Sequence, residues 1–147
     1  MDWWRRAEQE RPDGVIGKQA SHGEVMATAA AEGVAVLGIR AVQAGCLTDA
    51  LDRVTDGLDL SDFDLATPVR ALAKEQGVST AALAHRYASS MPHVGTVVLG
   101  VKNRAELEEC VKAVSLAMPP AEMAVVDEAV KAGQAARLGA PAVLSKL

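Results

Sequence analysis

The sequence predicts an α/β fold, on the evidence of two mostly apolar runs set among alanine-rich segments. Val34 to Val42 (VAVLGIRAV) and Thr96 to Gly100 (TVVLG) show no polar alternation, which is what a strand covered on both faces by helices requires. The segments around them begin with Ser or Asn caps and end at glycine or before proline, as helices do. A chain of 147 residues that is 50% hydrophobic and 23% charged has the size and balance of one globular domain.

Taken in order, residues 1–20 show no clear period and read as a loop, in which Trp3 and Trp4 are two adjacent indoles that need something to pack on. Ser21-His22-Gly23-Glu24 has capping-box spacing and opens a helix that closes at Gly33. The first strand follows, then the small-residue loop Gln43 to Thr48, in the position where α/β folds place ligands. Residues 49–61 read as a mobile connection. Asp62 or Asp64 caps a helix through Ala73 that Gly77 ends, and Ser79 caps the next, which stops before Pro92. His85 lies mid-helix and His93 in a turn; each reads as a packing or surface residue. After the second strand comes a helix from Arg104 to about Leu116. Pro119-Pro120 then open a last helix with Met123, Val126 and Val130 as its apolar stripe and Gly133 as its end. The tail 134–147 is uncapped.

Composition excludes several functions. A net charge of −4 without any basic stripe disfavours nucleic acid. No apolar stretch approaches about 18 residues and no leader pattern follows Arg5-Arg6, so the expectation is a cytoplasmic chain without a membrane span. Cys46 and Cys110 lie far apart without metal-ligand spacing, and read as small apolar residues with neither a disulfide nor a metal.

The segment that carries chemistry is Thr96 to Cys110. A strand breaks at Gly100 and a helix restarts behind Asn103, three residues before Glu106, the spacing at which the Asn side chain accepts from the first turn and the Glu reaches back. Remaining amides and the helix dipole favour an anion, with Lys102 beside them.

These pieces together, GVAVLGIRAVQAGCLT, then LAKEQGVSTAALAHRYASSMPHVGTVVLGVKNRAELEEC, then MPPAEMAVVDEA, resemble the carboxyl-terminal portion of an aldo-keto reductase over roughly residues 21 to 132. MDWW followed by RR is also similar to the segment after the preceding barrel strand in sugar-dehydrogenase-like members. The resemblance implies part of a (β/α)₈ TIM barrel with about two parallel strands, the seventh and eighth, and an NADP(H)-dependent reduction of carbonyls or oxidation of sugar or alcohol hydroxyls. It assigns Gly100 and Val101 to the strand-end turn, Lys102 and Asn103 to the adenosine 2′-phosphate, Glu106 to a place where many members have Arg or Gln, and Glu109 to the adenine edge. Cys110 stands where an Asn often contacts adenine, and its thiol cannot replace two amide donors; Ile39 stands where many members stack an aromatic ring on nicotinamide. Glu106 places a negative charge near the phosphate unless it folds back onto the cap.

The family's catalytic Asp, Tyr, Lys and His belong to earlier strands. The single tyrosine, Tyr87, falls within a helix of the resemblance and is no candidate for the proton donor. A typical barrel needs about 250 residues, and two parallel strands leave their outer edges unpaired. The expectation is therefore a truncated, carboxyl-terminal chain with a weak cofactor corner and no catalytic residues, self-associating or paired with a chain that completes the barrel. The alternative from another class is a non-enzymatic interaction module docking through its strand edges and Trp3-Trp4.

Overall fold

The computed structural model describes residues 22–51 and 62–139. Trp3, Trp4, the Ser21 cap, residues 52–61 and the tail beyond 139 lie outside the described residues. The elements are α1 (His22–Ala31), β1 (Val36–Gly38), a 3₁₀ turn (Gln43–Gly45), α2 (Thr67–Glu75), α3 (Thr80–Ser90), β2 (Val94–Val97), α4 (Arg104–Val114) and α5 (Pro120–Gly139). The two strands pair in parallel, with Val36 opposite Val94, Leu37 opposite Thr96 and Gly38 opposite Val97, and an irregularity between Val36 and Leu37.

Both strands are shorter than their apolar runs. At the head of the first run, Val34 N–H is spent on Ala29 O (2.8 Å), closing α1 over Gly33, whose φ of +70° a side chain would resist. At its other end Arg40 turns to φ +58° and leaves the sheet. The second strand begins at Val94 rather than Thr96, because Val94 N–H closes a turn on Met91 O and is already in register with Val36. Its ladder is extended by Val98 N–H donating to Gly38 O (2.8 Å), after which residues 98–100 are irregular. The expectation of strands covered on both faces does not hold. α1 packs on β1 and α3 on β2, yet Leu37 and Ile39 remain 59% and 51% exposed and Val98 is exposed too. Much of their apolar character therefore belongs to a surface that the described helices leave open.

The expected helix from Asp62 or Asp64 through Ala73 is two pieces: a helical turn at 62–65, a break at Ala66, and α2 with Pro68 in its first turn. Proline lacks an N–H and its ring crowds the carbonyl four residues back, so a continuous helix is interrupted there. Arg70 bridges the break. Its guanidinium stacks 3.7 Å over the Phe63 ring, and Nη2 donates to Phe63 O (2.6 Å) and Thr67 Oγ1 (2.8 Å). Nη1 finds no acceptor among the described residues, and burial lowers the guanidinium's pKa.

Helix α3 starts as its sequence requires, with Ser79 Oγ accepting from Ala82 N–H (3.0 Å). A second cap comes from 31 positions upstream: Asp49 Oδ1 accepts from Thr80 N–H (3.0 Å) and Thr80 Oγ1 (2.5 Å). The start of the supposedly mobile connection is thus pinned to a helix head. The core gathers among α2, α3 and α5, where Val69, Leu83 and Val126 are fully buried with Leu47 from the loop after β1 and Met118 from the link before α5. Each such side chain contributes roughly 1.5–3 kcal/mol by leaving water.

Cys110 on α4 meets His85 on α3 at the interface of those helices, Sγ to Nδ1 at 3.3 Å, with 5% and 3% of their surfaces exposed. Burial pushes the thiol pKa up, with Glu109 and Glu106 adding to the rise, and burial pulls the imidazole down against the opposing pull of Glu109. Thiol and neutral ring are hydrogen-bonded in either tautomer, the thiol donating to Nδ1 or Nδ1–H donating to sulfur. Both cysteines are buried and neither is in a disulfide.

Helix α5 passes through Gly133 and continues to Gly139, correcting the expectation that Gly133 ends it. Gly133 is a crossing point: a Cβ there would overlap the Leu65 carbonyl. Its absent side chain lets the helix approach the 62–65 turn.

Two outcomes follow from this packing. Gly133→Ala gains about 1 kcal/mol of helix propensity but forces apart a tight crossing at a cost of roughly 1–3 kcal/mol. The urea midpoint of the variant is expected to fall; a rise would show that the crossing is loose. For His85, the folded pKa lies below the ordinary value of 6.5, so the unfolded state binds more protons as pH falls through that value. Stability is full above pH of about 6.5 and declines below it until the folded pKa is passed. Melting temperature is expected to drop on acidification with a slope that His85→Gln flattens, which a pH series of thermal melts would check.

Candidate functional site

Parallel pairing brings the carboxyl ends of β1 and β2 to one edge of the sheet, where α/β proteins collect ligands. From β1 comes a tightly wound turn. Arg40, Gln43 and Ala44 adopt φ of 58°, 45° and 53°, a region costing non-glycine residues about 1–2 kcal/mol each. The turn is held by Gln43 N–H to Arg40 O (2.8 Å), Gly45 N–H to Val42 O (2.9 Å) and Thr48 Oγ1 to Gly45 O (2.6 Å). Gln43 is buried and the Asp49 clamp onto α3 follows directly. Sequence reasoning marked the loop Gln43 to Thr48 but not Arg40 or the left-handed backbone of Gln43 and Ala44, because such a conformation in a non-glycine residue leaves no trace in composition. Asp49 had no local signal either, since its partner is 31 residues away.

From β2 comes the turn to α4. Gly100 and Val101 are exposed in it, followed by Lys102 and Asn103. Asn103 caps α4 as its spacing requires, with extended backbone and Oδ1 accepting from Glu106 N–H (3.0 Å). Glu106 folds back farther than a simple capping box. Oε2 accepts from the backbone N–H of Lys102 (2.8 Å) and Oε1 from Asn103 Nδ2 (3.1 Å), so one carboxylate spans two donors. The next positive charge is also engaged, Arg104 Nε on Glu108 at 2.7 Å.

The remaining residues do not converge on this turn. Cys110 points its thiol into the α3–α4 interface, on His85. Glu109 lines an open groove of about 320 Å³ between α3 and α4, with Val78, Leu83, Arg86, Lys112 and Leu116. Ile39 is exposed at the end of β1. Tyr87 is buried, with its hydroxyl donating to Asp127 Oδ1 (2.5 Å), and is committed to packing.

The donor set bears on an anion as large as the 2′-phosphate of NADP(H). The amide of Lys102 and the side-chain amide of Asn103, which would receive it, already hold the Glu106 carboxylate. As they stand these residues do not fit that phosphate. Among the described residues no group of three or more His, Cys, Asp or Glu is placed to hold a metal, and no helix is long and apolar enough to cross a membrane.

No curated protein matches the chain. Residues 17–131 of its 147 match the sequence model of the Aldo/keto reductase family, spanning α1, both strands and the helices through most of α5. The family's fold is a (β/α)₈ barrel, and a parallel strand pair flanked by helices is a part of one. By the extent of that match, the chain belongs to the aldo/keto reductase family.

Proposed function

We propose that these residues are the carboxyl-terminal part of an aldo/keto reductase barrel, supplying to a carbonyl or alcohol oxidoreductase the adenosine corner of a dinucleotide site and none of its catalytic residues. The observation that carries the reading is the capped turn Gly100 to Glu106, at the carboxyl end of a parallel strand and beside the wound turn of its neighbour. Gly100, Val101, Lys102 and Asn103 are the contacts of this corner, with Glu106 at its back and Glu109 and Cys110 supporting α4. NADP(H) is the cofactor the family resemblance implies, and Glu106 accounts for a weak hold on it.

Among the described residues, the tyrosine and the mid-helix histidine are not placed to protonate a carbonyl. Tyr87 is buried on Asp127, and His85 is buried on Cys110. The chemical step belongs to residues outside this set, in a partner chain or a continuous barrel, acting in the cytoplasm. A second reading, association without catalysis, is favoured by the apolar surface at Leu37, Ile39 and Val98 on a sheet whose outer edges are unpaired among the described residues.

The purified chain is expected to consume no NADPH with simple aldehydes while binding a nicotinamide dinucleotide weakly by calorimetry. Turnover by the chain alone would overturn the absence of catalytic residues, and binding of neither NAD⁺ nor NADP⁺ would overturn the corner. Light scattering on a size-exclusion column is expected to give a mass above the 15.3 kDa of one chain, and a clean monomer would reject the associating sheet.

A further inference from the structure

The disagreement between the turn's donors and a phosphate has a direction. The Lys102 amide and the Asn103 side chain bind an anion in this structure, and that anion is the chain's own Glu106, at 2.8 and 3.1 Å. We infer that Glu106 is a specificity-determining residue that fills the anion place at the head of α4 and turns the corner against NADP(H), so that it accepts a dinucleotide without a 2′-phosphate, NAD(H). The inference rests on the proposed dinucleotide corner and concerns only which dinucleotide it takes.

Three features support it. The carboxylate is held at two points and the residue at a third, because Asn103 Oδ1 also accepts from the Glu106 backbone N–H (3.0 Å), so helix capping and anion mimicry share one set of bonds. A phosphate approaching Lys102 must displace a group that forms charge-assisted bonds without any loss of translational freedom. If the carboxylate stays, the incoming dianion meets a like charge at close range, and α4 places Glu108 and Glu109 on the following positions. The Arg104 guanidinium that could offset them is already bonded to Glu108. An adenosine ribose with a free 2′-hydroxyl has no such conflict, since a hydroxyl can donate to the carboxylate.

Glu106→Gln is a conservative probe, because glutamine suits the same capping position and retains an acceptor oxygen without the charge. The full chain, labelled with ¹⁵N, is titrated with NAD⁺ and with NADP⁺ while the amides of Lys102 and Asn103 are followed by NMR. The wild-type chain is expected to bind NAD⁺ at least as tightly as NADP⁺. Glu106→Gln is expected to shift the preference toward NADP⁺ by about tenfold, the size of one removed like-charge contact near the surface. A wild-type preference for NADP⁺, or a Glu106→Gln variant whose preference between the two is unmoved, overturns the role of Glu106 and leaves the dinucleotide corner standing. Binding of neither dinucleotide to either protein overturns the corner itself, and this inference with it. The wild-type comparison needs no variant, so a folding defect in Glu106→Gln would not protect the proposal.

Discussion

Helix α3 must satisfy its polar side chains inside the protein, and that constraint organises the chain around it. Thr80, Ala82, Leu83, Ala84, His85, Tyr87 and Ala88 are all buried, so its polar groups cannot rely on water. Each finds a partner on a different element. Asp49 holds Thr80 from the loop after β1, Cys110 meets His85 from α4, and Asp127 takes the Tyr87 hydroxyl from α5. Arg86 reaches Glu122 at 2.5 Å and the carbonyls of Leu116 and Ala117, while Ser90 Oγ accepts from Met118 N–H (2.7 Å). The link between α4 and α5 is irregular in backbone yet fixed in place, because three consecutive residues of it, Leu116 to Met118, and Glu122 just beyond are all bonded to one helix.

This arrangement explains which parts of the fold were legible in the sequence. Local chemistry was readable: Ser79 and Asn103 cap the helices their spacing announces, and Gly33 ends α1 through a backbone conformation that glycine favours. What escaped reading was decided between distant segments. Gly133 looks like a helix stop, but its missing Cβ matters because the Leu65 backbone lies against it. Residues near Asp49 look like loop, and Asp49 is fixed only because Thr80 arrives from 31 positions away. The apolar runs signalled strands correctly, while their burial depended on neighbours that a sequence window does not contain.

The candidate site divides along the same line. The turn and its cap were visible as Asn103 and Glu106 at capping spacing, and the family of the chain was visible in the order of its motifs. The second donor captured by Glu106 was not visible, since it depends on how the Lys102 amide is presented before the helix begins. Nor did spacing reveal that Cys110 faces inward. A helix head contains positions that point to solvent and to a neighbouring helix within one turn, and only packing against His85 settles which is which.

The core's position among α2, α3 and α5, rather than between sheet and helices, bears on how the molecule breathes. Backbone amides in α3 sit within the most densely tied region and exchange their hydrogens only when the whole unit opens. The strand pair has three residue pairings and much of its apolar surface in water, so it opens by smaller, local fluctuations while the helices stay assembled. The sheet that defines this family's architecture is, in this chain, the periphery and not the spine. A segment that carries its strand-end turns on such a periphery can readjust them without unfolding.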